Sequence, residues 1–215
     1  MASASTQAEK RIQRRTKMTH KTLVIDLDRC IGCYACEVAC KNENSIPLGV
    51  HYNKVLTIGP LGKFPDIQQY FLPSVCQNCR EAPCVKVCPT GATYQRKEDG
   101  QVLVDKEKCI GCKMCIAACP YGARSFNAQA KVVEKCTLCD HLQKVGEKPA
   151  CVKVCCANAR FFGDIDDPNS DVSKAIAAAG PENVHSMPDS GNKPTVRYIL
   201  HKKNAPWQPN PPKML

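Results

Sequence analysis

From Cys76 to Pro89 the chain reads C-Q-N-C-R-E-A-P-C-V-K-V-C-P, and from Cys109 to Pro120 it reads C-I-G-C-K-M-C-I-A-A-C-P. Each run holds four cysteines and ends in Cys-Pro. Three cysteines close together on a tight loop can wrap one side of a compact inorganic group. The chain cannot readily double back to supply a fourth sulfur, so the fourth comes from elsewhere, and the last cysteine of the other run is the natural source. Gly111 stands between the first two cysteines of the second run, where a missing Cβ lets the backbone curl close to sulfur. Pro89 and Pro120 stop the helical turn that carries the last cysteine.

The second run is C-x2-C-x2-C-x3-C-P, the bacterial ferredoxin spacing, in which the fourth cysteine ligates the other of two [4Fe–4S] clusters. That reading assigns Cys76, Cys79 and Cys84 with Cys119 to one cluster, and Cys109, Cys112 and Cys115 with Cys88 to the other. Two other chemistries use dense cysteine. Disulfide scaffolds are small secreted domains, whereas this chain has 215 residues, an odd total of 17 Cys, and cysteines gathered into quartets. Zinc ribbons use C-x2-C pairs, two plus two, and need no third close cysteine.

Composition agrees with a metal-built fold. The apolar fraction of 43% includes cysteine and only 6% of residues are aromatic, so the core is thin and cluster binding is expected to be coupled to folding. The formal charge is +10, but no basic stripe with interleaved aromatics points to nucleic acid, and anionic clusters with their thiolates offset part of the excess. No run of 18 apolar residues predicts a transmembrane helix. Arg14-Arg15 is followed by Thr16, Lys17 and Met18 and not by an apolar stretch, so no export signal is read. The expected location is the cytoplasm, or the periplasm if the chain travels with a signal-bearing partner.

Taken in order, residues 1–20 form a polar, basic extension. Thr22–Asp28 predicts a strand, feeding into C-I-G-C-Y-A-C-E-V-A-C from Cys30 to Cys40, with a short helix expected between Cys33 and Asn44. Residues 41–75, rich in Gly and Pro, read as mostly loop with short strands at 54–58 and 69–73. A hairpin is expected from Ala92–Gln95 and Val102–Asp105, and short strands at Ala123–Asn127 and Lys131–Glu134. A fourth quartet follows, C-T-L-C at Cys136–Cys139 and C-V-K-V-C at Cys151–Cys155, split by a polar segment read as loop. Ala159–Asp164 reads as a strand, residues 171–179 as a helix ended by Gly180-Pro181, and Thr195–His201 as a last strand before a Pro-rich tail. Trp207 in that tail either anchors a partner or packs on its own domain. The five histidines are scattered without metal-ligand spacing; His141, two residues after Cys139, is a faint candidate for bonding to a cluster.

The quartets repeat. D-R-C-I-G-C-Y-A-C-E-V-A-C resembles E-K-C-I-G-C-K-M-C-I-A-A-C, and A-P-C-V-K-V-C-P-T-G-A resembles P-A-C-V-K-V-C-C-A-N-A. First matches third and second matches fourth. Sixteen cysteines in four quartets predict four [4Fe–4S] clusters. Sequential pairing (first with second, third with fourth) and nested pairing (second with third inside first with fourth) both join unlike quartets, so the repeat leaves both open.

Over residues 21–200, including G-D-I-D-D-P-N-S from Gly163 to Ser170, these motifs in this order resemble the four-cluster electron-transfer subunits of the dimethyl sulfoxide reductase family of molybdenum or tungsten enzymes. The resemblance implies an α+β fold of two nested 2[4Fe–4S] ferredoxin-like units: an inner unit at 76–120, an outer unit at 21–75 and 121–200, and a tail at 201–215. It implies that Cys30, Cys33 and Cys36 take Cys155 (site A), and that Cys136, Cys139 and Cys151 take Cys40 (site B). The inner pair is then site C (Cys76, Cys79, Cys84, Cys119) and site D (Cys88, Cys109, Cys112, Cys115). One departure is Cys156, standing where a proline is usual; the x3 spacing favours Cys155 as ligand and leaves Cys156 as a buried free thiol.

The expected function is a non-catalytic relay of single electrons between a molybdopterin catalytic subunit and a membrane-anchor subunit or soluble carrier. A stand-alone polyferredoxin is the alternative, and a zinc-based interaction module the remote one. Lys113, between two ligands, is the candidate for raising a cluster potential by its charge, with Tyr34 at the equivalent seat; a lysine simply facing water is the plainer alternative.

Overall fold

A computed structural model describes residues 19–208 and 210–214. The chain opens with β1 (Lys21–Asp26), turns through the first cysteine loop into α1 (Ala35–Glu43), and forms a hairpin of β2 (Asn53–Lys63) and β3 (Asp66–Val75). There follow α2 (Pro83–Lys86), β4 (Thr93–Gln95), β5 (Val102–Val104), α3 (Met114–Ala117), β6 (Ser125–Asn127) and β7 (Val132–Glu134). The last part holds α4 (Asp140–Lys144), α5 (Ala150–Lys153), β8 (Arg160–Asp164), α6 (Asp171–Ala179), β9 (Val184–His185) and β10 (Arg197–Ile199). Short helices, short strands and long connections make this α+β and ferredoxin-like.

β1 is the strand about which distant parts of the chain meet. Leu23, Val24 and Ile25 are all fully buried, because both faces of the strand are covered. β1 pairs antiparallel with β8, Leu23 opposite Phe162, and parallel with β10, Val24 opposite Arg197. The sheet order is β8-β1-β10-β9. α6 covers one face, with Val172 packed on Val24 and Ile199. It starts where the sequence signals it: the Ser170 hydroxyl accepts a hydrogen bond from the Ser173 N–H, satisfying a donor at the helix start. The other face meets the main core, where Leu72, Val75, Tyr198 and Leu200 pack beside Cys79, Cys84 and Cys115. Cysteine side chains thus supply part of an apolar core that aliphatic residues alone would leave thin.

Three expectations need correction. Residues 41–75 are not mostly loop: β2 and β3 form an extended antiparallel hairpin. Gly59 and Pro60 are taken up where the register shifts between Ile58 and Leu61, Gly62 staying in the ladder opposite Ile67, and a two-stranded ribbon has free edges at which proline costs no ladder bond. The segment after Cys139 is not all loop, because Asp140–Lys144 is helical, with Asp140 and Lys144 ion-paired at 2.9 Å one turn apart. Cys156 is exposed, not buried. The seat after Cys155 is a surface turn, and the equivalent Pro89 is an exposed turn residue as well. The N-terminal extension lies, up to residue 18, outside the described residues.

Candidate iron–sulfur sites

The local backbone of the first and third quartets is the same. Gly32 and Gly111 have φ of +66° and +68°. A Cβ at Gly32 would lie 2.5 Å from the Phe71 ring, and one at Gly111 2.5 Å from the Lys131 carbonyl oxygen; the loops therefore need glycine for conformation and for space. Two residues on, Tyr34 and Lys113 are also left-handed, at φ 60° and 63°, and each immediately precedes a helix. That kink turns α1 and α3 so that Cys36 and Cys115 face inward, both buried. α1 packs against α5, and α2 against α3. Each pair joins a helix of one quartet to a helix of another.

Four small cavities result. Cys30, Cys33, Cys36 and Cys155 line the first, and Cys40, Cys136, Cys139 and Cys151 the second. Cys76, Cys79, Cys84 and Cys119 line the third, and Cys88, Cys109, Cys112 and Cys115 the fourth. Among the described residues, no group of three or more His, Cys, Asp or Glu side chains has the geometry of a single-ion site; the sulfurs ring cavities instead.

Several polar groups at the cavity walls donate to sulfur. Backbone N–H groups of Thr93, Val133, Leu138 and Ala159 donate to the Sγ atoms of Cys88, Cys109, Cys136 and Cys155 at 3.3, 3.4, 3.4 and 3.2 Å. Side chains add to them: Arg124 Nη2 donates to Cys84 Sγ at 3.0 Å, and Asn192 Nδ2 to Cys79 Sγ at 3.2 Å. The Arg160 guanidinium faces Cys151, with Cys36 and Cys155 also nearby, and its buried Nη1 has no hydrogen-bond partner. Thiolates with converging N–H donors, and a buried guanidinium with an N–H to spare, fit an anionic iron–sulfur group.

Without metal, burial favours the protonated thiol at several of these cysteines. Burial pushes Cys79 and Cys136 up to about 12, and Cys40 higher still, with neighbouring cysteines adding to the effect. At Cys88, burial is outweighed by hydrogen bonds from Thr93 and Thr90, and the thiol is lowered. Burial disfavours the charges of Arg124 and Arg160, but the attraction of neighbouring cysteines in their ionised form outweighs it and both pKa values rise. A buried cysteine quartet of this kind releases protons as metal binds.

Lys113 is exposed and its Nζ lies 4.2 Å from the Phe126 ring centroid, a cation–π contact beside the fourth cavity. The His141 Nε2 pairs instead with Glu43 at 2.7 Å on the surface. Trp207 packs on its own domain, 5.0 Å from the His185 ring and 5.6 Å from Tyr198. Arg124, Lys135, Arg160 and Asn192 carry no motif and are not among the residues singled out from sequence. The one signal for the two arginines is position: each stands five residues after the last cysteine of a quartet, in C-P-Y-G-A-R and C-C-A-N-A-R.

The comparisons with known proteins agree on the chemistry. The 4Fe-4S dicluster domain family matches residues 67–165, and the 4Fe-4S binding domain family matches residues 21–42. The B subunit of sulfite dehydrogenase from Allochromatium vinosum is 45% identical over 86% of this chain and 85% of its own length. The arsenate respiratory reductase iron–sulfur subunit of Shewanella sp. is 36% identical, over 82% of this chain and 94% of its own. The B subunit of tetrathionate reductase from Salmonella typhimurium is 40% identical, over 82% and 71%.

Proposed function

The chain belongs to the iron–sulfur electron-transfer subunits of the dimethyl sulfoxide reductase family of molybdopterin oxidoreductases, and from that premise we propose that it relays single electrons through four [4Fe–4S] clusters. The relay runs between a molybdopterin catalytic subunit and a second redox partner, a membrane-anchor subunit or a soluble carrier. The chain itself is non-catalytic. The ligand sets are A (Cys30, Cys33, Cys36, Cys155), B (Cys40, Cys136, Cys139, Cys151), C (Cys76, Cys79, Cys84, Cys119) and D (Cys88, Cys109, Cys112, Cys115). The outer unit of residues 21–75 and 121–200 carries A and B, and the inner unit of 76–120 carries C and D.

The observation that supports this most directly is the composition of the cavities. Each is lined by three cysteines of one quartet and one of another. β1 supports the nesting, since its pairing with β8 brings the strand before the first quartet beside the strand after the last. When bound, the clusters supply reversible one-electron chemistry. The chain's own residues do the rest: the cysteine sulfurs fix each group, N–H donors meet the charge on sulfur, and the apolar core covers the inner side of each site. Among the described residues no helix is long and apolar enough to cross a membrane, and we assign the subunit to the compartment of its catalytic partner.

The test is anaerobic purification from its own cells. A brown complex with a large molybdenum- or tungsten-containing chain and about sixteen iron atoms per copy of this subunit, four for each cubane cluster, is the expected result. A colourless zinc protein, or an iron–sulfur protein that purifies alone as a monomer, would contradict it.

A further inference from the structure

Among the described residues, three buried cations have no carboxylate partner. Arg124, Lys135 and Arg160 are 4%, 2% and 5% exposed. The arginine–carboxylate pairs there are made by Arg29, Arg80 and Arg96, and the lysine pairs by Lys86, Lys106, Lys108, Lys144, Lys148 and Lys153. Lys135 Nζ donates only to the carbonyl oxygen of Cys136, at 2.6 Å. Arg124 reaches Cys84 and, at 3.3 Å, the Thr93 hydroxyl. Arg160 donates to Asn53 Oδ1 at 2.8 Å and keeps Nη1 free of protein partners. Burying an unpaired charge is costly unless an opposite charge arrives to meet it.

What each cation faces is ordered along the chain of sites. Arg160 lines the site A cavity, and Asn53, to which it donates, lines the site B cavity. Lys135 Nζ sits on the Cys136 carbonyl oxygen of site B, and its charge also favours the thiolate of Cys84 in site C. Arg124 lines the site C cavity through its bond to Cys84, and Thr93, its other partner, lines the site D cavity. One cation therefore stands at each of the three junctions A–B, B–C and C–D. Successive clusters in a relay repel one another's added electron across a low-dielectric interior, and a fixed positive charge between them relieves that repulsion on both sides.

We propose that Arg160, Lys135 and Arg124 are junction charges that set the reduction potentials of the clusters in overlapping pairs: A with B, B with C, and C with D. This rests on the cluster assignment above. Each cluster gains one electron on reduction and gives it up on oxidation. The guanidinium and ammonium groups stay protonated throughout and exchange neither electron nor proton; they act by position alone.

The experiment uses the full chain in its native complex, with iron and sulfide counted and each cluster's potential read by EPR-monitored titration. Arg160→Gln is expected to lower A and B, Lys135→Met to lower B and C, and Arg124→Gln to lower C and D, the other two clusters staying at parent values each time. Arg160→Lys and Arg124→Lys are expected to fall between parent and Gln, which a purely structural role would not produce. Where a Gln variant fails to hold its clusters, the Lys variant decides: a partial fall confined to the stated pair supports the proposal. Complete clusters with unmoved potentials, or all four clusters moving alike, would overturn it. A parent complex without clusters overturns the assignment as well, so the two failures are distinguishable.

Discussion

Asn192 offers a quantitative test of how this fold tunes a cluster. It is 4% exposed, and its amide donates at 3.2 Å to Cys79 Sγ and at 2.6 Å to the Tyr121 hydroxyl. Asn192→Leu keeps the volume and removes the donor, while Tyr121 retains its bond to the Pro188 carbonyl oxygen at 2.7 Å. A hydrogen bond to a charged acceptor is worth about 1.5–3 kcal/mol. It strengthens when the cluster gains an electron, and a difference of about 1 kcal/mol between the two states is a reasonable share. For a one-electron couple, where 59 mV corresponds to about 1.4 kcal/mol, that is a fall of about 40 mV. The fall belongs to site C alone, since no other cavity cysteine receives this donor. The assay is a potentiometric titration followed by EPR, with iron content measured on the same sample. A site C potential within about 10 mV of the parent, at full iron content, would refute the claim that this hydrogen bond tunes the cluster.

Other expectations follow from the same geometry. Gly32→Ala adds a Cβ 2.5 Å from the Phe71 ring at a left-handed φ, so site A is expected to lose its cluster first under oxygen. Gly49→Ala, also left-handed but with open space around it, carries only the conformational cost of about 1–2 kcal/mol and leaves cluster lifetimes unchanged; equal behaviour of the two variants would contradict the reading. Trp207→Ala removes the ring stacked on His185, Tyr198 and Tyr70 and is expected to cost about 2–3 kcal/mol for a half-buried aromatic. That lowers the thermal midpoint by about 5–10 °C with the cluster spectra intact at room temperature. Lys113→Met is expected to lower the potential of site D and no other; because the cation is exposed and rests on Phe126, the shift should be smaller than that of Arg124→Gln.

Much of the site is legible in the spacing of the cysteines, because cluster binding is a local requirement written in short loops. Gly111 between two ligands and the repeated C-V-K-V-C segments follow from wrapping one side of a small group, whereas the left-handed seats at Tyr34 and Lys113 show only in the backbone. The strands at 21–26 and 160–164 are legible as apolar runs, although their pairing is a matter of tertiary structure. What escapes is what acts across long separations. Asn192 meets Cys79 from 113 positions away, and nothing in P-D-S-G-N-K distinguishes it from any polar turn. The β2–β3 hairpin is obscured by its own Gly and Pro residues, which a central strand would not tolerate but a free-edged ribbon does. Cys156 is misread when an unpaired cysteine is assumed to seek the core; the turn it occupies is set by the preceding ligand, and that turn faces solvent.

The central claim is that the quartets pair in a nested order, and the pairing of Cys40 tests it most directly. Cys40→Ser, purified in the complex and examined by EPR, is expected to lose the same cluster signal as Cys139→Ser while the signal lost in Cys30→Ser persists. Cys155→Ser is expected to match Cys30→Ser in turn. If Cys40→Ser instead removes the signal lost in Cys76→Ser or Cys79→Ser, the quartets pair in sequence and the nested account is wrong.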